Sequence, residues 1–403
     1  MPLKKYREQN VLDAARERVS YAFDNFERIY VSFSGGKDSS VMLHLVMAEA
    51  IKRSRTVGVL IVDLEAQYTA TIDHIEEMVA LYADHMDLHW ACLPLLLRNA
   101  VTNFEPRWMC WQPEKRDVWV RPMPAQATTS YPFFEPGLEF EEFIVMWGLW
   151  YAQGKTCGGF VGIRADESLN RFRTIAVFDK TTHGGKRYTT HIDDHLFNVY
   201  PIYDWRTEDI WRFHAKFPEL PHNRIYDLMM QAGVPISQQR LCQPYGDDQR
   251  RGLWLYHLLE PATWFKLIAR VNGANSGALY VQENGNVMGY QKISKPEGHT
   301  WQSFCNLLLQ SMPKSTREHY MTRFRSFLKG WRARGYHDGI PDEAPKTLED
   351  KQWAPSWRRM CKVLLRNDHW CKGLGLTQPK SEAYGRYLAL KKERANAADH
   401  LGH

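Results

Sequence analysis

The sequence predicts an α/β chain: a doubly wound, mostly parallel sheet, followed by a basic, mainly helical C-terminal domain that contains a β-hairpin. Three observations predict it. Short apolar runs at 29–33, 57–62 and 88–92 alternate with helical periodicity at 8–26, 38–50 and 71–83. Such alternation is the pattern of strands buried on both faces by crossover helices. After about residue 262 it stops, and residues 314–334 carry seven Lys or Arg against one acid, Glu318.

Each element has its own signal. Val11, Ala15, Val19, Ala22 and Phe26 recur at helical spacing. The run 29–33 ends in the glycine turn Ser34-Gly35-Gly36, and a strongly periodic helix starts at once. Residues 100–137, rich in Trp, Pro, Arg and Met, read as an inserted loop. An apolar helix follows at 138–153, a strand at 160–164, a turn at 181–185, a strand at 198–203 and helices at 207–217 and 225–232. Asn284-Gly285, between apolar runs at 278–282 and 287–291, signals the hairpin. Ser315-Thr-Arg-Glu318 is a capping box. It opens a helix with Tyr320, Phe324, Phe327 and Trp331 on one face, a core stripe before it is a base-stacking ladder. A second basic helix spans 356–366.

At 403 residues the chain divides near 262, into an α/β domain over 1–262 and a basic, Trp-rich domain over 263–403. Composition of 44% hydrophobic and 24% charged residues excludes wholesale disorder, collagen and coiled coil. The balance of 52 Lys and Arg against 46 Asp and Glu gives +6, which excludes a histone-like tail. The 15 Trp imply a rigid core or an aromatic-lined surface. No run reaches the roughly 18 apolar residues of a membrane span, and residues 1–9 lack the apolar stretch of a secretory signal. Seven widely spaced cysteines without a CxxC pair suit a reducing compartment, so a cytoplasmic protein without membrane contact is expected.

The most specific feature is Val31-Ser-Phe-Ser-Gly-Gly-Lys-Asp-Ser-Ser40. Consecutive backbone N–H groups at a helix N-terminus form a concave anion site, and the helix dipole adds to it. Gly35 and Gly36 let a phosphate approach the backbone. Ser34, Ser39 and Ser40 add hydroxyl donors. Lys37 adds a charge that can follow the negative charge of a departing pyrophosphate. Asp38 helps to hold Mg²⁺ or caps the helix. A glycine turn with a serine cap is the plainer reading, and the complete strand–SGGKDS–helix unit speaks against it. The spacing is neither Walker A nor GxGxxG.

This loop resembles the PP-loop of the ATP pyrophosphatase superfamily, an adenine nucleotide alpha hydrolase-like fold. Its members cleave ATP between the α and β phosphates, usually adenylylating a substrate oxygen. Gly162-Ile-Arg164-Ala-Asp-Glu167-Ser168-Leu-Asn-Arg171 resembles the GxRxxES…R motif of the phosphoadenosine phosphosulfate (PAPS) reductase-like branch. Tyr200 to Trp211, Leu220-Pro-His-Asn223-Arg-Ile-Tyr226 and Arg240-Leu-Cys242 resemble later segments of that branch, so the resemblance covers about 25–250. PAPS reductases typically lack the loop lysine and rely on a C-terminal Glu-Cys-Gly-Leu-His segment. This chain has Lys37 and lacks that segment, which implies ATP rather than PAPS in the loop. Ser39-Ser40-Val-Met-Leu-His44-Leu45 is similar to a run in the small subunit of bacterial sulfate adenylyltransferase. The cysteine pairs of related cluster-bearing reductases are absent, so no iron–sulfur cluster is expected. A PP-loop core with a basic, Trp-rich extension resembles bacterial IbrA/YbdN-type proteins. These tend to be encoded beside a ParB-like protein of the IbrB/YbdM type, which implies such a partner.

The remaining candidates are weighed against plainer structural readings. Asp63 ends the second apolar run, where a doubly wound sheet meets its ligand, and with Glu65 it faces nucleotide and metal or a solvated turn. Arg164 leaves its strand at the same edge; with Arg171 and Arg173 it suits phosphate, or forms a surface ion cluster, and Glu167 orients it. Cys242 is a nucleophile, a ligand or inert packing. Cys361, His369 and Cys371 fit no standard zinc spacing. His183, His191 and His195, near Asp193 and Asp194, form a metal site or ordinary surface. Arg317, Arg323, Arg325, Lys329, Arg332 and Arg334 form a solvated face, or one for nucleic acid or an acidic partner.

The expected function is ATP-dependent adenylyl transfer to an unknown acceptor. Lys37 and Arg164 are the catalytic candidates. Ser34–Ser40, Asp63, Arg164, Glu167 and Arg171 hold ATP, and Asp38 and Asp63 hold Mg²⁺. A PAPS reductase- or sulfotransferase-like sulfur transfer, which needs a reactive cysteine, is one alternative. A non-enzymatic nucleotide-binding regulator acting with a ParB-like partner is the other.

Overall fold

A computed structural model of the chain describes residues 7–102, 105–176, 180–246, 252–274, 294–366 and 368–401. It divides into two compact units. The first comprises Met1–Leu95 with Cys110–Leu241, and the second Leu96–Met109 with Cys242–His403.

The first unit is built on strands β1 (Arg28–Ser32), β2 (Val57–Val62), β3 (Met86–Ala91), β6 (Ala127–Thr128), β7 (Cys157–Val161), β8 (Thr189–Asp193) and β9 (Leu196–Val199). They form one sheet in the order β6-β3-β2-β1-β7-β9-β8. Every pair is parallel except β8 with β9. The helices of this unit are α1 (Val11–Asn25), α2 (Lys37–Lys52), α3 (Thr69–Leu81), α4 (Phe140–Ala152), α5 (Leu169–Ala176), α6 (Thr207–Lys216) and α7 (Ile225–Gln231). Asn10 caps α1 through its side chain, and Ala15, Val19, Ala22 and Phe23 are buried, as the apolar stripe requires.

Strand order positions the site. From β1 the chain steps to β2 and β3 on one side, whereas β7 pairs with β1 on the other, Val31 lying between Val59 and Phe160. The order reverses at β1 and β7, and the loops after these two strands flank the crevice there.

Several expectations shift. The strand sought at 160–164 is Cys157–Val161, because its register runs from Arg28 opposite Cys157 to Ser32 opposite Val161. Residues 162–164 therefore belong to the loop. The strand sought at 198–203 ends at Val199, before Pro201, which has no N–H to donate to a ladder. The 100–137 segment is not one loop: Ala127–Thr128 joins the edge of the main sheet, and Arg107–Met109 pairs in the second unit. Trp90, Trp111, Trp147 and Trp205 are fully buried, so the Trp-rich composition builds core here.

The second unit pairs β4 (Leu96–Arg98) with β5 (Arg107–Met109). Its helices are α8 (Leu253–Leu259), α9 (Pro261–Arg270), α10 (Trp301–Ser311), α11 (Lys314–Arg332), α12 (Lys346–Asp350), α13 (Trp357–Leu365) and α14 (Glu382–Leu401). Tyr320, Phe324, Phe327 and Trp331 join Trp301, Cys305, Met360 and Cys361 in one buried cluster, so the aromatic stripe is core. Ser315 does not cap α11: that helix starts at Lys314 behind Pro313, and no side chain caps it. The hairpin expected around Asn284-Gly285 lies outside the described residues. No helix among the described residues is long and apolar enough to cross a membrane.

Candidate nucleotide site

β1 ends at Ser32, and α2 begins at Lys37 with Gly36 as its N-cap and no side-chain cap, so its first amides are left to the loop. Gly35 has φ +71°, and a Cβ there would stand 2.9 Å from Ile75 and 3.0 Å from Thr71. Both constraints require glycine. Ser39 and Ser40 are buried, and the hydroxyls bond within the loop and to His74. Ser34 and Ser39 Oγ lie 3.0 Å apart, Ser39 Oγ donates to the Gly36 carbonyl at 2.9 Å, and Ser40 Oγ lies 2.8 Å from His74 Nε2.

The crevice brings Lys37, Asp38 and Arg164 together. Lys37 Nζ lies 3.3 Å from Asp38 Oδ2, and Arg164 Nε donates to Asp38 Oδ1 at 2.5 Å. Gly162 makes this approach possible: a Cβ on it would stand 3.2 Å from the Ser39 backbone. Arg164 is 2% exposed and well occupied. It also donates to Asp166 at 2.6 Å and to Thr207 Oγ1 at 3.2 Å, and its backbone N–H donates to Glu167 at 3.0 Å. Arg171 pairs with Glu167 and is partly exposed. Arg164 is thus a fixed post that ties the loop after β7 to the head of α2.

Two further residues hold the loop, and sequence reasoning alone gives neither a place in the site. Asn223 is fully buried, donates to the Gly35 carbonyl at 2.8 Å and to Thr71 Oγ1 at 3.0 Å, and accepts from the Ile225 N–H at 3.0 Å. Tyr226 accepts a hydrogen bond from the Lys37 backbone N–H at 3.1 Å, and Lys37 Nζ sits 5.2 Å from the centre of its ring. Both belong to the segment Leu220-Pro-His-Asn223-Arg-Ile-Tyr226, which was the available signal. Lys37 Nζ also lies 3.4 Å from the Gln239 carbonyl, and Lys37 is buried.

Asp63 and Glu65 are both fully buried. Asp63 accepts from the Glu65 N–H at 2.9 Å and the Trp90 indole at 2.8 Å, and pairs with Arg121. Glu65, at φ +66°, accepts from the Trp111 N–H at 2.7 Å and the Val120 N–H at 3.1 Å. The two carboxylates therefore anchor the inserted segment at Trp111, Val120 and Arg121. Mg²⁺, which the superfamily implies, finds no preformed cage. Asp38 faces two cations, Asp63 faces a cation and two N–H donors, and no three His, Cys, Asp or Glu side chains converge among the described residues. These residues do not fit a protein-held Mg²⁺.

The other candidates have environments of their own. All seven cysteines are thiols, and Cys242 alone is exposed. Burial pushes the Cys157 and Cys371 thiols up to about 12. His183 contacts Tyr21, and His191 contacts the Asp194 carbonyl beside the edge strand β8. Arg173 is exposed. On α11, Arg325, Lys329 and Arg332 are exposed, whereas Arg323 is half-buried and donates to the Trp370 and Thr377 carbonyls.

Residues 28–232 match the phosphoadenosine phosphosulfate reductase domain family. Residues 233–352 and 336–384 match a domain of unknown function, DUF3440. The uncharacterized protein YbdN of Escherichia coli (strain K12) is 41% identical over 387 residues, spanning 94% of this chain and 93% of that protein. Among solved structures, a PAPS reductase from Candida auris matches 56% of this chain and 93% of its own at 12% identity, with a TM-score of 0.28. The U34-tRNA thiolase NcsA of Methanococcus maripaludis matches 76% and 90% at 11% identity, with a TM-score of 0.33. At such scores the strand order, rather than these likenesses, is the ground for the fold.

Proposed function

The chain belongs to the phosphoadenosine phosphosulfate reductase domain family, and we propose that it binds ATP over Ser34–Ser40 and cleaves it between the α and β phosphates. The observation that supports this most is the convergence of Lys37, Asp38 and Arg164 where a strand-to-glycine-to-helix turn opens at the sheet's switch point. An acceptor oxygen attacks the α-phosphorus, and any proton it carries passes to solvent; the bond from that phosphorus to the bridging oxygen breaks, and pyrophosphate leaves with the electron pair. The amides at the head of α2 and the Lys37 ammonium stabilise the charge that develops on the leaving group. Arg164 fixes Asp38, and Asp38 holds Lys37. Arg171, Glu167 and Asp63 shape the surroundings, and Mg²⁺ arrives on the nucleotide phosphates. The chain's thiols suit the cytoplasm, and a ParB-like protein partner is what the IbrA/YbdN-type resemblance of the sequence implies.

A sulfur-transfer reading has one observation in its favour, the exposure of Cys242. Equilibrium binding of ATP and PAPS to the intact protein separates the two readings. Preference for ATP, lost in Lys37→Ala, supports adenylyl transfer; preference for PAPS, with activity lost in Cys242→Ser, supports sulfur transfer.

A further inference from the structure

α11 carries a row of cations that the second unit does not neutralise. The core face of this helix is Tyr320, Phe324, Phe327 and Trp331, all buried. By helical spacing, Arg325, Lys329 and Arg332 fall within about 60° of one another on the solvent side and span about 10 Å of the axis. All three are exposed. Among the described residues no acid pairs with any of them, and Glu318, the one acid of the helix, stands about two turns before Arg325.

Elsewhere the unit pairs its cations. On α13, Arg358 binds Glu343 and Glu349, Lys362 binds Glu349, and Arg359 is buried against the Ala354 and Gly373 carbonyls. Arg323, on α11 itself, donates to two carbonyls. In the exposed row, by contrast, like charges three and four residues apart repel one another. The negative end of the helix dipole favours Lys329 and Arg332 in the last turn, but its effect fades before Arg325 is reached.

The neighbours of the row indicate what it meets. Thr322, Ser326, Gly330 and Ala333 are small and exposed, so the cations stand clear of bulky side chains. A Cβ on Gly330 would meet nothing within 4 Å, so no packing requires a glycine there, where it weakens the helix. A close approach from outside would require one. None of the large apolar side chains exposed among the described residues lies on α11. A protein interface centres on an apolar or aromatic anchor, whereas a polynucleotide backbone is held by cations alone. The guanidinium forks of Arg325 and Arg332 match phosphate oxygens.

We propose that the Arg325–Lys329–Arg332 face of α11 binds the phosphate backbone of a polynucleotide.

The test titrates a fluorescein-labelled oligothymidylate with the full-length protein and follows fluorescence anisotropy at several NaCl concentrations. The expected result is saturable binding whose logarithm falls with the logarithm of salt at a slope of about −2 or steeper, since each of three phosphates contributes about −0.7. Substituting Arg325→Gln, Lys329→Gln and Arg332→Gln together is expected to weaken binding at least about tenfold and to flatten the slope by about 2. This variant is expected to melt with the parent, because the three side chains are exposed and unpaired. Arg325→Gln alone is expected to flatten the slope by about 0.7. Lys37→Ala is expected to bind as the parent does; a loss there would place the oligonucleotide at the Ser34–Ser40 loop and overturn the proposal. Absent binding, or binding undiminished in the triple variant, overturns it as well. Equal binding of polyglutamate would assign the face to an acidic protein instead.

Discussion

The backbone N–H of Lys37 donates to the hydroxyl of Tyr226 across 3.1 Å, so an amide at the head of α2 is already in use. A phosphate entering the loop competes with that hydroxyl. Tyr226→Phe keeps the ring beneath the lysine ammonium and removes the competitor. ATP is expected to bind a few-fold more tightly to this variant, the equivalent of about 0.5–1.5 kcal/mol. Calorimetric titration checks this, and weaker binding would mean that the hydroxyl serves the nucleotide instead.

Asn223 makes three hydrogen bonds in a fully buried position, one of them to the Gly35 carbonyl. Asn223→Ala leaves those groups unpaired, at about 1–3 kcal/mol for each that finds no water. Urea unfolding is expected to show that loss together with weaker ATP binding. Asn223→Asp, which keeps the acceptor to Ile225 but loses both donated bonds, is not expected to restore binding.

The loop was legible because its signal is local: strand, glycine turn and helix follow one another within a few residues. Asn223 and Tyr226 act across 188 and 189 residues, and only the sheet's strand order brings them to Gly35 and Lys37. The segment Leu220–Tyr226 contains both, but no periodicity gives either a role. Asp63 and Glu65 follow a strand at the binding edge, so their sequence position suits a ligand, for Asp63 above all, or a solvated acidic turn. Their partners at Trp111, Val120 and Arg121 lie in a segment without any repeating pattern, so nothing local announced that the carboxylates were occupied. β8 escaped notice for a related reason: an edge strand with one buried residue, Thr189, has almost no alternation to read.

Glu65 holds the inserted segment through the Trp111 and Val120 amides. Glu65→Ala is expected to lower stability by about 1.5–3 kcal/mol for each charged hydrogen bond lost. It is also expected to speed proteolytic cleavage within 112–137 ahead of the rest of the chain. Uniform cleavage throughout would show that the carboxylate does not anchor this segment.

Burial holds His74 down to about 3 and His44 and His214 down to about 4. Unfolded, each takes up a proton near its ordinary value of about 6.5, so the unfolded state binds more protons between those limits. Stability is therefore full above about pH 6.5 and falls as pH drops toward 4, by up to about 1.4 kcal/mol per pH unit for each group. Neither ring nitrogen of His214 has a hydrogen-bond partner. His214→Phe is expected to raise stability at pH 7 by about 1–3 kcal/mol and to flatten the fall between pH 6 and 4. Urea midpoints at three pH values check both; an unchanged slope would show that His214 is protonated in the folded chain.

The central claim is cleavage of ATP between its α and β phosphates at Lys37. The direct measurement is to incubate the protein with Mg²⁺ and ATP labelled on the α-phosphate, alone and with candidate acceptors such as sulfate, nucleic acid or a ParB-like partner, and to separate the products. Label in AMP or on an acceptor, with equimolar pyrophosphate and loss of both in a folded Lys37→Ala variant, is the expected result. Label in ADP, or turnover unchanged by Lys37→Ala, would contradict the claim.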